Sequence, residues 1–171
     1  MNHLVNRVVL AGATIFLASG GDQSLSATKL APSHATGSAQ VVLSDRVDPD
    51  CGSSCSQRMT MNAVSTGDGN AVGQFTVFSE EGGGIRVHGS ITCLSVEGNE
   101  AQLGGVITQS TIPDLIGLRV TWRAVDNGEG TQFPGDQTSD LFGNRDCGDD
   151  ITSHPSFELF DVIDGNVDVS G

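Results

Sequence analysis

Short runs of alternating apolar and polar residues, separated by clusters of Gly, Asn and Asp, fill the chain from Ser38 onward. The run over residues 85–93 shows the pattern well: every second residue is apolar or small, and Arg86 and His88 occupy positions between them. Successive side chains of a β-strand point to opposite faces. The pattern therefore predicts a strand with one face on a core and the other toward solvent or a polar lumen. No segment after residue 38 keeps a helical period over three turns, which argues against an α-rich domain.

The segments between these runs are rich in residues that form tight turns. Residues 66–70, residues 80–84 and the pair Gly98-Asn99 contain Gly or Asn, which tolerate positive φ, and each lies between two alternating runs. Consecutive hairpins predict strands near residues 39–47, 57–65, 71–79, 84–96, 100–108, 117–126, 137–142 and 157–169. We therefore predict an all-β fold, an antiparallel meander that forms a barrel or a sandwich of about eight strands.

Residues 1–20 have the order of a secretory signal peptide. A polar start with one positive charge, Arg7, precedes the apolar run 8–17, and Ala18-Ser19-Gly20 supplies the small residues at a cleavage site. An uncleaved anchor or a buried helix is the alternative, although the run is shorter than the roughly 20 residues that span a bilayer. Residues 21–37, rich in Ser, Ala and Gly, predict a flexible leader before a single β-domain over 38–171. We expect a secreted or periplasmic protein whose mature chain has no membrane span.

The chain is strongly acidic, with 8 basic and 21 acidic residues and a net charge of −13. Removing residues 1–20 also removes Arg7, so the mature chain is one unit more negative. Nucleic acid and anionic membrane surfaces are poor partners for such a chain because their phosphates would be repelled. An unknown protein, a small molecule or a cation remains open as a partner, and we expect a monomer.

Four cysteines follow the predicted leader: Cys51, Cys55, Cys93 and Cys147. Export would place them where disulfides persist. Four cysteines allow three pairings, and sequence alone does not select one of them. We favour Cys51–Cys55, which closes a short loop, together with Cys93–Cys147, which closes a long one. A zinc site of four thiolates is the rival hypothesis, but the two distant single cysteines do not follow a zinc-ribbon pattern.

Three segments carry a resemblance: residues 84–99 (GIRVHGSITCLSVEGN), residues 124–130 (AVDNGEG) followed by 134–137 (PGDQ), and residues 164–169 (DGNVDV). In order and spacing they resemble a family of small secreted bacterial proteins of unknown function, over roughly residues 38–171. The resemblance implies a β-rich exported domain. It also implies the Cys93–Cys147 pairing, because family members usually carry the two later cysteines, whereas Cys51 and Cys55 look like an addition. It brings no catalytic role.

The loop that begins at Asp126 is the most acidic stretch of the chain. Asp126, Glu129, Asp136 and Asp140 are spaced by glycines, and calcium accepts oxygen ligands from irregular loops. These four residues are our candidate calcium ligands, although the order of an EF-hand is absent and no motif requires a cofactor. The alternative, which we favour, is a solvated loop whose Asp and Asn side chains build turns by bonding their own backbone.

Arg86 and His88 are our candidate ligand-binding residues, because both lie on the polar face of one predicted strand. A histidine in a pocket could act as an acid or a base, but a strand histidine is more often exposed or bonded to a neighbour. Trp122 falls on the apolar face of its strand, and we expect it in the core together with Phe75 and Phe78, which lowers the prospect of sugar recognition. No catalytic constellation is present. We therefore expect a non-enzymatic binding or envelope-associated module, the alternative being a small-ligand-binding barrel or an enzyme that uses Arg86 and His88.

Overall fold

A computed structural model describes residues 32–43, 55–67, 69–80, 84–128, 134–143, 147 and 158–171. Regular structure in these ranges is β apart from one 3-10 turn, Pro113–Leu115. The strands are β1 (His34–Leu43), β2 (Cys55–Gly67), β3 (Asn70–Ser79), β4 (Ile85–Glu97), β5 (Glu100–Ser110), β6 (Arg119–Val125), β7 (Gln137–Thr138), β8 (Phe142–Gly143), β9 (Phe160–Asp161) and β10 (Asp164–Ser170). Within the same ranges, no helix has the length and apolarity needed to cross a membrane.

All the strands belong to one antiparallel sheet. Its order is β10-β1-β2-β3-β4-β5-β6-β7-β9, and β8 pairs with β6 beside β7. Strands β1 to β7 are neighbours in sequence order, as consecutive hairpins require, so the predicted all-β antiparallel meander is confirmed. The ladder is not closed into a barrel, because β10 and β9 are its two ends.

The core lies on the inner face of this sheet. Its centre is Trp122, which is fully buried and packs against Phe75 with the ring centroids 5.0 Å apart. The Phe75 ring lies over the backbone of Gly89 and Gly105, where a Cβ atom would collide with the ring. Glycine in the middle of a strand usually weakens it, but here two glycines make room for the largest aromatic pair. The predicted core position of Trp122 is confirmed.

The first strand begins earlier than the sequence suggested. β1 starts at His34, so residues 34–37 of the predicted leader belong to the sheet, where they pair with both β2 and β10. Ala35 is fully buried, and a Cβ atom on Gly37 would lie 2.5 Å from the carbonyl oxygen of Asn166. Small residues are needed here because two backbones approach closely, not because the segment is flexible. The predicted signal peptide lies outside the described residues.

A disulfide joins β4 to the segment after β8. The Sγ atoms of Cys93 and Cys147 lie 2.08 Å apart, with a Cα–Cα distance of 5.9 Å, which is the predicted pair. Gly104 on the neighbouring strand β5 lies under this bond, since a Cβ there would come 2.5 Å from the Cys93 sulfur. Cys55 at the start of β2 is also disulfide-bonded, and Cys51 lies outside the described residues.

Candidate functional site

The outer face of β2 to β5 presents rows of polar side chains that cross the strands. Directly opposed residues on antiparallel strands share a face, so the strand register defines the rows. One row contains Arg58, Phe78 and Arg86. The next contains Thr60, Thr76, His88 and Gln109. We call this surface the outer face. Arg86 and His88 lie on it in adjacent rows, as predicted, and they point away from the core rather than into a lumen.

Arg86 is an exposed cation without a carboxylate partner in the described part of the chain. The guanidinium instead contacts an aromatic ring: its Cζ atom lies 5.5 Å from the centroid of the Phe78 ring. The backbone of Arg86 is fixed at both polar groups, because its N–H donates to Oγ1 of Thr111 and its carbonyl accepts from the N–H of Thr111, both at 3.0 Å. The guanidinium therefore has a fixed base, and no described carboxylate accepts from its five N–H donors.

Arg123 on β6 differs from Arg86, because its guanidinium pairs with a carboxylate. Arg123 donates from Nε to Oε1 of Glu100 at 2.6 Å and from an Nη atom to Oε2 at 3.0 Å. This bidentate pair uses the same donor fork for which Arg86 has no carboxylate among the described residues. Arg58, in the row of Arg86, donates from Nε to the amide oxygen of Gln40 at 3.0 Å and has no carboxylate partner among the described residues.

A depression of about 240 Å³ lies beside Arg86 on the outer face. The described residues that line it, none of which is a carboxylate, are Arg86, His88, Gln109, Ser110 and Thr111. An irregularity in the pairing of β4 with β5 shapes it. His88 pairs with Gln109 but Gly89 pairs with Ile107, which leaves Thr108 as an extra residue. A bulge of this kind re-aims the side chains that follow it.

His88 also belongs to a second depression, of about 200 Å³, over β2 and β3. The polar residues lining it are Thr60, Asn62, Gln74 and Thr76, and Oγ1 of Thr76 lies 3.1 Å from Nδ1 of His88. The two depressions thus adjoin through one imidazole. Together they form one surface with a guanidinium at one end and hydroxyl and amide groups at the other.

Phe78 is a residue whose role the sequence misassigned. We expected it in the core, but it is half-buried on the outer face, because the neighbouring Val77 and Ser79 take the inward positions of β3. It supports Arg86 there. The contribution of residues 109–111 was also missed, since it depends on the irregular pairing at Thr108.

Two of the four candidate calcium ligands in the acidic loop have a structural role. Asp136 is buried, and its carboxylate accepts hydrogen bonds from the N–H of Asn127 at 3.0 Å and of Val167 at 2.7 Å. Asp126 accepts from the N–H of Gly128 at 2.8 Å and of Val169 at 3.2 Å. Val167 and Val169 lie on β10, so the two carboxylates bond N–H groups on the edge of β10 that faces away from β1.

The other two candidate ligands do not complete a metal site in the described ranges. Oδ1 of Asp140 accepts from the N–H of Leu141 at 2.6 Å, and Glu129 lies outside the described residues. Over the described residues, no group of three or more His, Cys, Asp or Glu side chains is arranged to hold a metal ion. Calcium binding by this loop stays a prediction.

No protein-family model, no curated protein and no solved structure matches this chain. The resemblance of residues 84–99 and of the two later segments to a family of secreted β-rich proteins therefore stays a prediction. The function has to be argued from the outer face itself.

Proposed function

We propose that this protein is an exported, non-enzymatic binding module whose ligand site is the part of the outer face around Arg86 and His88. One observation carries the proposal: in a chain of net charge −13, the exposed guanidinium of Arg86 has no carboxylate partner among the described residues. Arg58 also lacks a carboxylate partner among the described residues, but Arg86 in addition lines the depression of about 240 Å³, which Arg58 does not. A ligand that supplies the missing acceptor would gain charge-assisted hydrogen bonds there.

The groups around Arg86 are suited to holding a ligand. Gln109, Ser110 and Thr111 offer amide and hydroxyl groups, and the stacked Phe78 restricts the motion of the guanidinium. Such preorganised donors lower the entropy that is lost on binding. Pockets that bind small molecules commonly place a few polar groups in this way, although they are usually larger than this one.

Chemical-shift mapping tests the binding site. The full chain, ¹⁵N-labelled and with its disulfides formed, is titrated with neutral, anionic and cationic small molecules. We expect at least one class to shift the amides of Arg86, His88 and residues 109–111. Shifts that concentrate at another surface would contradict the proposal. Mass spectrometry of the recovered ligand tests the non-enzymatic part, since a converted ligand would favour the alternative of an enzyme that uses His88.

Export is the second part of this proposal. It is supported by the Cys93–Cys147 disulfide and by the bonded state of Cys55, because disulfides persist in oxidising compartments. Secretion into a periplasm or medium, with cleavage near residue 20, gives a mature chain whose mass is lower by that of the signal peptide. Intact mass spectrometry of the protein from each cell fraction tests this. A full-length chain found only in the cytoplasm would contradict export.

A further inference from the structure

We infer that the outer face binds a small polyhydroxylated monocarboxylate, such as a sugar acid, with its carboxylate on Arg86 and its hydroxyl groups over the second depression. This inference rests on the proposed function and names the class of ligand for the same site. It follows from three observations: the guanidinium of Arg86 has no described carboxylate partner, the whole chain is acidic, and polar groups lie next to His88.

The guanidinium of Arg86 is the reason for placing a carboxylate on the ligand. Arg86 lies against Phe78 and has no acidic partner in the part of the chain that the structure describes, so its planar donor fork is open to a planar acceptor. Thr111 reinforces this choice. Its Oγ1 accepts the N–H of Arg86, which leaves the hydroxyl hydrogen to be donated elsewhere. A carboxylate accepts from both groups.

The charge of the chain favours a small anion with one negative charge over a polyanion. A polyanion would extend over neighbouring surfaces of a protein with net charge −13 and would be repelled. A single carboxylate lies within a few ångströms of Arg86, well inside the roughly 8 Å over which salt screens charges in physiological solution. The depression beside Arg86, about 240 Å³, also suits a small molecule.

The side chains that line the second depression are the reason for placing hydroxyl groups on the ligand. Thr60, Asn62, Gln74 and Thr76 line it and can both donate and accept hydrogen bonds, which matches a hydroxyl group. A neutral sugar would lack a partner for Arg86. It would also lack a tryptophan to stack on, because Trp122 is fully buried in the core. The carboxylate is therefore the anchor, and the hydroxyl contacts give selectivity.

Calorimetric and NMR titrations of the full chain test the assignment with four probes: gluconate, acetate, glucose and citrate. We expect gluconate to bind with a Kd on the order of 1 mM, as suits a small ligand on an open site. Acetate has the carboxylate alone and glucose the hydroxyl groups alone, so each should bind at least about tenfold more weakly. Citrate, with several charges, should also bind more weakly than gluconate.

Two matched variants separate a local contact from general electrostatics. Arg86→Gln should weaken gluconate binding about tenfold or more, because it removes the charge-assisted hydrogen bonds. Arg58→Gln removes the same charge from the same row of the outer face. Because Arg58 does not line the depression beside Arg86, the Kd for gluconate should stay within about twofold of the value for the unmodified protein. Thermal melts of both variants check that they are folded.

The outcomes separate the ligand class from the binding site. Equal weakening by Arg58→Gln and Arg86→Gln would overturn the assignment of the carboxylate to Arg86. Acetate binding as well as gluconate would overturn the role of the hydroxyl groups. If another class of small molecule shifts the same amides and gluconate does not, the ligand class is wrong and the binding site stands. If no probe or library member shifts them, both are wrong.

Discussion

Replacing Asp136 by Asn should destabilise the protein, because this carboxylate accepts hydrogen bonds from two other segments of the fold. Its Oδ2 accepts from the N–H of Val167 on β10, its Oδ1 accepts from the N–H of Asn127, and its backbone carbonyl accepts from Val162. Asn keeps the shape and one acceptor oxygen. The second acceptor becomes an NH₂ group, so one of the two backbone N–H groups faces another donor.

The size of the effect follows from these contacts. Asp136 is 7 % exposed and Val167 is 1 % exposed, so the N–H group that loses its partner has little access to water. An unsatisfied buried donor costs roughly 1–3 kcal/mol, and the remaining bond loses its charge assistance. We expect Asp136→Asn to lower the free energy of unfolding by about 3 kcal/mol. For a chain of 150–250 residues that corresponds to a fall in Tm of roughly 6–12 °C.

Urea and thermal denaturation measure the loss, and hydrogen exchange at the Val167 and Val169 amides locates it. Asp114→Asn is the matched control. Asp114 is exposed in the 3-10 turn, so its replacement removes the same charge from an acidic chain and should change stability by less than about 0.5 kcal/mol. If Asp136→Asn were as stable as Asp114→Asn, or if exchange at Val167 stayed slow, the carboxylate would not hold β10 in place.

Three further predictions concern stability. Gly89→Ala should lower the free energy of unfolding by about 1–3 kcal/mol in urea denaturation, because a Cβ there overlaps the Phe75 ring. Gly135→Ala is the control and should be neutral, since no atom lies within 4 Å of its Cβ. Equal effects of the two variants would contradict the packing argument. The double variant Cys93→Ser, Cys147→Ser removes a disulfide that closes a loop with a sequence separation of 54 residues. By the loop-entropy relation, the free energy of unfolding should fall by about 4 kcal/mol. An unchanged urea midpoint would refute this. Millimolar calcium should leave Tm unchanged, because carboxylates of the 126–140 loop already bond backbone N–H groups, and a rise reversed by EDTA would instead support the calcium site.

The long strands could be predicted from the sequence because each has one buried and one exposed face. Alternation then marks both the strand and its orientation, as in β4, where Val87 is buried and Arg86 exposed. The predicted strand at 137–142 is different: it is split into β7 and β8. Residues 139–141 separate the two, and the side chains of Ser139 and Asp140 bond backbone groups of this segment. Such local bonds compete with a ladder, and strand propensity does not report them.

The predicted strand at 157–169 is likewise interrupted. β9 ends at Asp161 and β10 begins at Asp164, because the N–H groups of Val162 and Ile163 donate to carbonyls of two other segments, Asp136 and Gln40. These partners are far away in sequence. An interruption that depends on long-range backbone bonds has no local signal, whereas the alternation on either side of it does.

The candidate site was predicted in part for the same reason. Arg86 and His88 are two residues apart on one strand, so their shared face follows from period two alone. Gln109 and Thr111 join them only through the extra residue Thr108, which changes the register of β5 against β4. A pairing irregularity depends on both strands at once. It therefore cannot be deduced from the sequence of either strand.

The two signs of charge in this chain lead to opposite conclusions about ligands. A run of acidic residues suggested a cation site, yet Asp126 and Asp136 direct their oxygens to backbone N–H groups and so replace strand pairing along β10. Arg86 is the reverse case, since its charge is left without an acceptor in the described structure. In a protein with excess acid, carboxylates are available to pair any cation that needs one for stability. We therefore base the proposed binding site on Arg86, which has no carboxylate partner among the described residues, rather than on the abundant acids, and we propose an anion as its ligand.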